Sequence, residues 1–451
     1  MFCLTGTDRR GSSRGALYLG VFSLLLVLTT GDRSCQAQTG HILDAVGAVN
    51  QSMGGAGTAL PLDSIGALHW NPASISALPG SEIGFAFMGM APITRLSSRV
   101  DAGAFGPGMP AQTWEGTTTS DSEITPIPTM AVVHHVEDSP WTFGLGGFAI
   151  GGFGVNLPVT NANPLLSPPP AQGGVGYGGV YSQFQQMQFC PTAARRFGDG
   201  WSIGFAPTIN WASLAVDPLG VAVPNANGVY PSAAHGDATW GLGYQVGLMH
   251  ESYETGWNWG FSYKSPQWFQ PFKFNSRDAL GAARQLEFNL DYPAIMSLGV
   301  AYQGFGAVKI AADVRYIDYA HTDGFRGVGF NTNGSIKSFG WESIWVASIG
   351  TEITLTDNLQ WRFGYTYNES PITNRTMFYG APAPALTQHH LSTGFTRTLA
   401  NTWTCTFAYH MGLRGEVTGS WWHPTLGRMQ GTHVTGSLAT HSLIGGIARR
   451  F

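Results

Sequence analysis

The chain has 451 residues, with 61 glycines, 12% aromatic residues, only 11% charged residues and a formal net charge of −4. A soluble domain usually carries about 25% charged residues, so an ordinary soluble core fits poorly, and the acidic balance does not indicate nucleic acid as a partner. Beyond the N-terminal region no segment has about twenty unbroken apolar residues, which excludes membrane-spanning helices.

Residues 1–37 are predicted to be a secretory signal peptide. Arg9, Arg10 and Arg14 form its basic region, residues 16–28 its apolar core, and small residues allow cleavage after Ala37. The mature chain is therefore expected to begin at residue 38.

Residues 38–80 precede the first predicted strand and are rich in small residues at 52–59. Small residues permit close backbone packing, whereas Leu60, Leu68 and Trp70 are too apolar for a free tail. The segment is interpreted either as a compact plug inside a barrel or as a periplasmic extension.

From residue 82 onward, fourteen segments alternate in polarity with period two. In one of them Trp361, Phe363 and Tyr365 share one face, while Arg362 and Thr366 share the other. Aromatic outer faces repeated around an even number of strands are typical of outer-membrane barrels. The prediction is an all-β fold, a 14-stranded antiparallel transmembrane β-barrel over 81–451, with strands near 82–90, 126–137, 141–156, 180–197, 201–213, 240–253, 257–270, 292–303, 307–320, 342–355, 359–370, 388–399, 402–411 and 440–451.

The links between these strands alternate between short and long. Gly, Asp and Asn dominate the short links, as tight hairpins require. Since outer-membrane barrels have short periplasmic turns and long extracellular loops, both termini are expected in the periplasm. Fourteen strands would leave a wide hole, which residues 38–80 could fill.

The long links at 157–179 and 214–239 are rich in apolar residues. They could form an exposed capture groove for an apolar ligand, or they could pack on each other over the barrel mouth. The candidate groove residues are Leu214, Val216, Leu219, Val221, Val223 and Tyr230.

Cationic residues are predicted on the inner face of the barrel. Lys309 and Arg315 lie on the ninth strand, and Arg362 is expected opposite Glu352 across a tight turn. Each cation could attract a fatty-acid carboxylate through a charge-assisted hydrogen bond. The alternative is a structural network that holds the wall to the plug.

Neither a metal site nor a catalytic site is predicted. His134-His135 and His389-His390 are adjacent pairs, and adjacent strand residues point to opposite faces, so neither pair can chelate one ion. No nucleophile elbow, phosphate-binding loop or Cys-x-x-Cys motif is present, and no cofactor is expected.

The C-terminal Phe451 matches the usual last residue of an outer-membrane barrel and predicts recognition by the barrel-assembly machinery. Arg449 departs from that pattern, because an apolar or aromatic residue is usual two positions before the end.

Several motifs occur in order along the chain. Residues 51–57 read QSMGGAG and are followed by Trp70, Asn71, Pro72 and Ala73; later segments include 292–300, 313–318 and 364–371. Together they resemble the FadL/TodX family of outer-membrane channels for hydrophobic compounds. The resemblance implies a 14-stranded barrel with an N-terminal hatch in its lumen, and passive passage of long-chain fatty acids or aromatic hydrocarbons.

The resemblance also implies a side portal, made in that family by a kink in the third strand near the Asn-Pro-Ala segment. The third predicted strand contains Gly151, Gly152, Phe153 and Gly154. Glycines inside a strand mark bends or bulges. Alternatively, these glycines only relieve crowding against the hatch.

The resulting hypothesis is a non-enzymatic outer-membrane channel. Loops capture a hydrophobic ligand, the hatch rearranges, and the ligand leaves sideways into the membrane lipid. The rival hypotheses are a porin for polar solutes, an outer-membrane lipid hydrolase, and a purely structural barrel.

Overall fold

The computed structural model describes residues 40–277, 282–399 and 402–451. The predicted signal peptide and the predicted short link at 400–401 lie outside these residues. Among the described residues, no helix is long and apolar enough to cross a membrane.

The described residues contain a closed barrel of fourteen antiparallel strands, as predicted. Each strand pairs with its sequence neighbours, and β1 closes the ring by pairing with both β2 and β14. The strands are β1 Glu82–Val100, β2 Thr125–His135, β3 Trp141–Leu157, β4 Val180–Phe197, β5 Trp201–Asp217, β6 Ala233–Glu251, β7 Trp257–Lys264, β8 Ile295–Tyr302, β9 Val308–Ile317, β10 Ile344–Thr356, β11 Leu359–Asn368, β12 His389–Thr398, β13 Trp403–Gly419 and β14 Thr432–Arg450.

Side chains alternate across the barrel wall. On β11, Trp361, Phe363 and Tyr365 are exposed on the outer face, whereas Arg362 and Thr366 are buried on the inner face. The same period-two burial pattern recurs on the other barrel strands, for example β5 and β12. The outer face is therefore apolar and aromatic, as a lipid-facing surface requires.

Some strands extend further than the sequence pattern indicated. β1 runs ten residues past its predicted end, where Ser97 pairs with Thr435 of β14. The outward side chains in this extension include Arg95 and Arg99, so the aromatic pattern stops although the backbone ladder continues. By contrast β7 ends at Lys264, ahead of Pro266, which cannot donate to a ladder.

Residues 40–80 occupy the lumen. Helix α1 spans Ala48–Ser52, helix α2 spans Ser64–Trp70, and a 3₁₀ helix spans Pro72–Ala77. Asp63 begins α2, because its side chain accepts a hydrogen bond from the Gly66 amide at 3.1 Å. We call residues 40–80 the hatch.

The long loops also contain short ordered elements. A strand in the β1–β2 loop pairs with the end of β1, and a hairpin rises from the β7–β8 loop. These elements are the strands Trp114–Thr119, Trp268–Phe269, Phe272–Arg277, Ala283–Phe288, Trp422–His423 and Gly427–Arg428, and the 3₁₀ turns Pro164–Leu166 and Pro170–Gln172.

Candidate functional site

Glycines on the inner face of the wall let the hatch backbone lie against the strands. A Cβ on Gly364 would overlap the backbone nitrogen of Gly54, and a Cβ on Gly394 would lie 2.8 Å from the Ser52 Cβ. Besides Gly151 on β3, seven described strands contribute one such glycine each. Six of these seven form directly opposed pairs, and the seventh lies on the neighbouring strand β12: Gly204 with Gly247, Gly260 with Gly299, Gly350 with Gly364, and Gly394.

The Trp70–Ala73 motif fixes the middle of the hatch. Asn71 caps the 3₁₀ helix by accepting from the Ala73 amide at 3.1 Å, and its amide donates to the carbonyls of Thr58 at 2.8 Å and Leu248 at 3.1 Å. The indole of Trp70 donates to Asn50 at 2.9 Å. Asn71 therefore joins two hatch segments to β6.

Asp313 anchors the hatch to β9. Its Oδ2 accepts from the Gly57 amide at 2.9 Å, from the Thr58 amide at 3.0 Å and hydroxyl at 2.8 Å, and from Arg315 at 2.7 Å. Arg315, one of the predicted carboxylate candidates, is 1% exposed. It also donates to the Gly55 carbonyl and stacks on the Trp70 ring at 3.6 Å.

The other two predicted cations share one carboxylate. Glu352 lies opposite Lys309 on β9 and opposite Arg362 on β11, which confirms the predicted cross-turn register. The pairs measure 2.8 Å to Lys309 and 2.7 Å to Arg362. They lie at the short-turn end of the barrel, beside a polar cavity of about 310 Å³ below the hatch.

The third strand carries a bulge next to the predicted portal glycines. Its register against β4 shifts between Ala149 and Gly151, which leaves Ile150 as an extra residue. Gly151 is buried, and Gly152, Phe153 and Gly154 are partly buried.

The wall is incomplete beside this bulge. Pairing between β2 and β3 ends at Thr129 and Phe148, and no described residue of β2 pairs with β3 beyond that point. β2 carries Pro126 and Pro128 there, which have no amide hydrogen to donate.

The hatch closes the gap. Ile42 forms an antiparallel bridge with Gly151, the Leu43 amide donates to the Ile150 carbonyl at 3.0 Å, and the Gly152 amide donates to the His41 carbonyl at 2.8 Å. A short hatch segment thus takes the place that a neighbouring strand would occupy.

His41 sits in an aromatic cluster inside the lumen. Its ring stacks on Phe325 at 5.0 Å, and its backbone amide donates to the Tyr319 hydroxyl at 3.2 Å. Neither ring nitrogen finds a hydrogen-bond partner among the described residues. Burial lowers the pKa of His41 to about 3, so the ring is neutral at physiological pH. The other rings around it are Phe184, Tyr292 and Trp341.

An apolar pocket of about 90 Å³ lies among the long loops. Val216, Leu219, Val221 and Tyr230 of the predicted groove line it. Three of these four are buried, so the loops cover this pocket. Of the two interpretations given for these loops, this burial agrees with loops packed on each other and not with an exposed groove. Leu214 is fully buried outside the lining, and Val223 is 44% exposed on the surface.

Phe339 lies between the loop pocket, the bulged strand and the aromatic cluster around His41. It lines the loop pocket, and its ring lies 5.9 Å from Phe153 of the bulged strand and 5.8 Å from Phe325 beside His41. A continuous run of aromatic side chains therefore leads from the loops to the gap in the wall. The β9–β10 loop, which carries Phe339, was not among the loops predicted to contact a ligand. Its signal in the sequence is the set of aromatic residues Phe325, Phe330, Phe339 and Trp341.

A lipid-facing barrel with a hatch docked in its lumen defines a plugged outer-membrane channel. Residues 33–419 match the profile of the family described as "Outer membrane protein transport protein (OMPP1/FadL/TodX)". The match covers most of the chain, so this protein belongs to that outer-membrane transport family, as the sequence motifs indicated.

Solved structures with the same fold agree with this assignment. The Pseudomonas putida toluene transporter TodX superposes with a TM-score of 0.65 at 17% identity, covering 90% of this chain and 99% of TodX. A Pseudomonas aeruginosa FadL homologue gives 0.65 at 15% identity, covering 91% and 98%. The Ralstonia pickettii toluene transporter TbuX gives 0.58 at 16% identity, covering 90% and 99%. No curated protein sequence matches this chain significantly.

Proposed function

We propose that this protein carries hydrophobic compounds passively across the outer membrane, by loop capture, hatch rearrangement and lateral exit between β2 and β3. One observation carries the proposal. In the described part of the chain β2 does not pair with β3 beyond Phe148, and the hatch residue Ile42 pairs with Gly151 in its place. Withdrawal of residues 41–43 would open the lumen sideways to lipid.

The lining supports an aromatic or long-chain aliphatic cargo. Burying apolar surface contributes about 25 cal/mol per Å², and the loop pocket offers aliphatic side chains together with Tyr177, Tyr230 and Phe339. Toluene transporters and a FadL homologue stand among the similar structures. We therefore propose aromatic hydrocarbons or long-chain fatty acids as the cargo.

Lys309, Arg315 and Arg362 remain candidates for a ligand carboxylate. Each already pairs with a protein carboxylate. The Lys309 side chain is 32% exposed, whereas those of Arg315 and Arg362 are at most 5% exposed. Lys309 is thus the candidate that a ligand can reach without the hatch first undocking.

The orientation follows from the loops. We propose that the short turns and both termini face the periplasm and that the seven long loops lie outside the cell. Phe451, which is 65% exposed at the end of β14, would be available to the barrel-assembly machinery. The aromatic outer face would contact membrane lipid.

Deletion of Ile150 tests the lateral exit. Removing the extra residue would return β3 to regular register with β4, so uptake of toluene or oleate into proteoliposomes should fall strongly. Deletion of Leu413 is the matched control, because it removes a residue at the bulge between Gly412 and Gly415 of β13. Equal uptake by the two deletion variants, both folded, would refute the lateral exit.

Mass spectrometry of lipids that co-purify with the protein tests the cargo class. Bound fatty acid or hydrocarbon, together with slow swelling of sugar-loaded liposomes, is the expected result. Fast sugar permeation without bound lipid would instead indicate an open porin.

A further inference from the structure

Three buried side chains meet between the hatch and the wall. Oδ2 of Asp44 lies 3.2 Å from Nδ1 of His390 and 3.0 Å from Nε2 of His410, and the two ring nitrogens lie 3.1 Å apart. The three residues are at most 6% exposed. None of them takes part in the route proposed above.

The histidines come from neighbouring strands. His410 lies opposite Ser392, two residues along β12 from His390, so the two rings are diagonal neighbours on the inner face. Asp44 comes from the hatch, directly after the segment that pairs with β3. Sequence adjacency says nothing of such diagonal cross-strand pairs, because their two members lie on different strands.

The hydrogen bonds around His390 fix its tautomer. The Asn368 amide donates to the Glu369 carbonyl at 2.9 Å and the Thr387 carbonyl at 3.0 Å, so its Oδ1 faces Nε2 of His390 at 2.8 Å as an acceptor. His390 therefore carries its proton on Nε2, and its Nδ1 presents a lone pair to the cluster.

The cluster is short of hydrogen-bond donors. Oδ2 of Asp44 and Nδ1 of His390 both act as acceptors, and Nε2 of His410 carries at most one hydrogen, so at least one of the two acceptors receives no hydrogen bond within the cluster. Among the described residues, Asp44 receives only a 3.4 Å contact from Gln51 besides the two rings. The nearby Arg315 is committed to Asp313, Gly55 and Ser348. A cation between the three atoms would satisfy all of them.

The triangle has the size of a metal site. Zinc binds His nitrogen and Asp oxygen at about 2.0–2.2 Å. An ion at that distance from three atoms that are 3.0–3.2 Å apart lies about 1 Å outside their plane, as at one face of a tetrahedron. The side-chain carbonyl of Asn368 accepts a hydrogen bond from Nε2 of His390, the ring nitrogen that points away from the cluster. A ligating histidine usually has such an outer-shell partner.

We propose that Asp44, His390 and His410 form a binding site for Zn²⁺ or a similar divalent transition metal, which fastens the hatch to β12 and β13. Two ligands belong to the wall and one to the hatch, so bound metal holds residues 41–44 in the docked arrangement. This consequence for transport rests on the proposed function, whereas metal binding itself does not.

Cobalt binding tests the site without any transport assay. The full-length protein is stripped with a chelator in detergent and titrated with Co²⁺, with zinc content measured in parallel by mass spectrometry. The wild type is expected to bind about one ion per chain tightly, with ligand-field bands that Zn²⁺ displaces. His390→Ala, His410→Ala and Asp44→Asn should each weaken binding by tenfold or more.

His389→Ala is the matched control. His389 is the sequence neighbour of His390 but its ring contacts Tyr365 and Tyr367 of the outward face, so this variant should bind Co²⁺ like the wild type. Heat-modifiable migration on gels checks that each variant is folded, and His410→Gln replaces any variant that is not.

Two results would overturn the proposal. One is Co²⁺ binding by the wild type that is no tighter than binding by His390→Ala. The other is an equal loss in His389→Ala, which would locate the metal elsewhere. If the site binds metal but Zn²⁺ leaves hydrocarbon uptake unchanged, the fastening role is wrong while the transport proposal stands.

Discussion

Replacing Asp313 by Ala should release the hatch from the wall. The change removes three hydrogen bonds to Gly57 and Thr58 and leaves Arg315, which is 1% exposed, without its carboxylate partner. Breaking a buried ion pair in this way costs about 3–5 kcal/mol. Since 1.4 kcal/mol is about a tenfold change in an equilibrium constant, the undocked fraction should rise by a factor between about 10² and about 4 × 10³.

The chain offers a native reporter for undocking. Cys190 is fully buried on the inner face of β4, against which the 3₁₀ helix of the hatch packs. In a Cys405→Ser background, a water-soluble maleimide should label Cys190 slowly in the wild type. Labelling in the Asp313→Ala variant should be faster by about the same factor, provided that the hatch recloses faster than its open state is labelled.

Asp199→Ala is the control, because Asp199 is an exposed carboxylate in the β4–β5 turn. It should leave the labelling rate unchanged. A folded Asp313→Ala barrel that is labelled no faster than the Asp199→Ala variant would refute the role of Asp313 as an anchor.

Two further predictions concern hatch packing and pH. Gly364→Ala should lower the thermal unfolding midpoint and accelerate Cys190 labelling, because the new Cβ would overlap the Gly54 backbone. The control is Gly445→Ala, whose outward-facing Cβ would meet no neighbouring atom and should change neither quantity. Similar values for the two variants would contradict the packing argument. Burial and the nearby Glu82 raise the pKa of Asp63 to about 7. Between about pH 4 and pH 7 the folded state therefore holds a proton that the unfolded state has released. The contribution of this carboxyl to stability is full below about pH 4 and declines as the pH rises to about 7. Unfolding midpoints at pH 5 and pH 8 should differ less in Asp63→Asn than in the wild type, because Arg362 and Arg450, which also face this carboxyl, stay charged throughout that range. An unchanged difference would show that groups other than Asp63 set the dependence.

Local pattern was enough to predict the barrel. Period-two alternation places Trp361 outside and Arg362 inside wherever a strand is half in lipid. A tight turn fixes the register on both sides of it, which is why the Glu352–Arg362 pair could be predicted from residue spacing. Strand ends were less predictable, because the ladder of β1 continues past the lipid-facing aromatic pattern into a polar extension.

The hatch and its contacts depended on tertiary structure. Nothing near Gly364 in the sequence indicates that it must admit Gly54, about 300 residues earlier in the chain, because that requirement arises only once the sheet closes around the hatch. For the same reason, the contacts of Asp44 with His390 and His410 could not be predicted from the sequence. Alternation determines which side of the wall a residue faces, whereas barrel closure decides which distant residue it meets there.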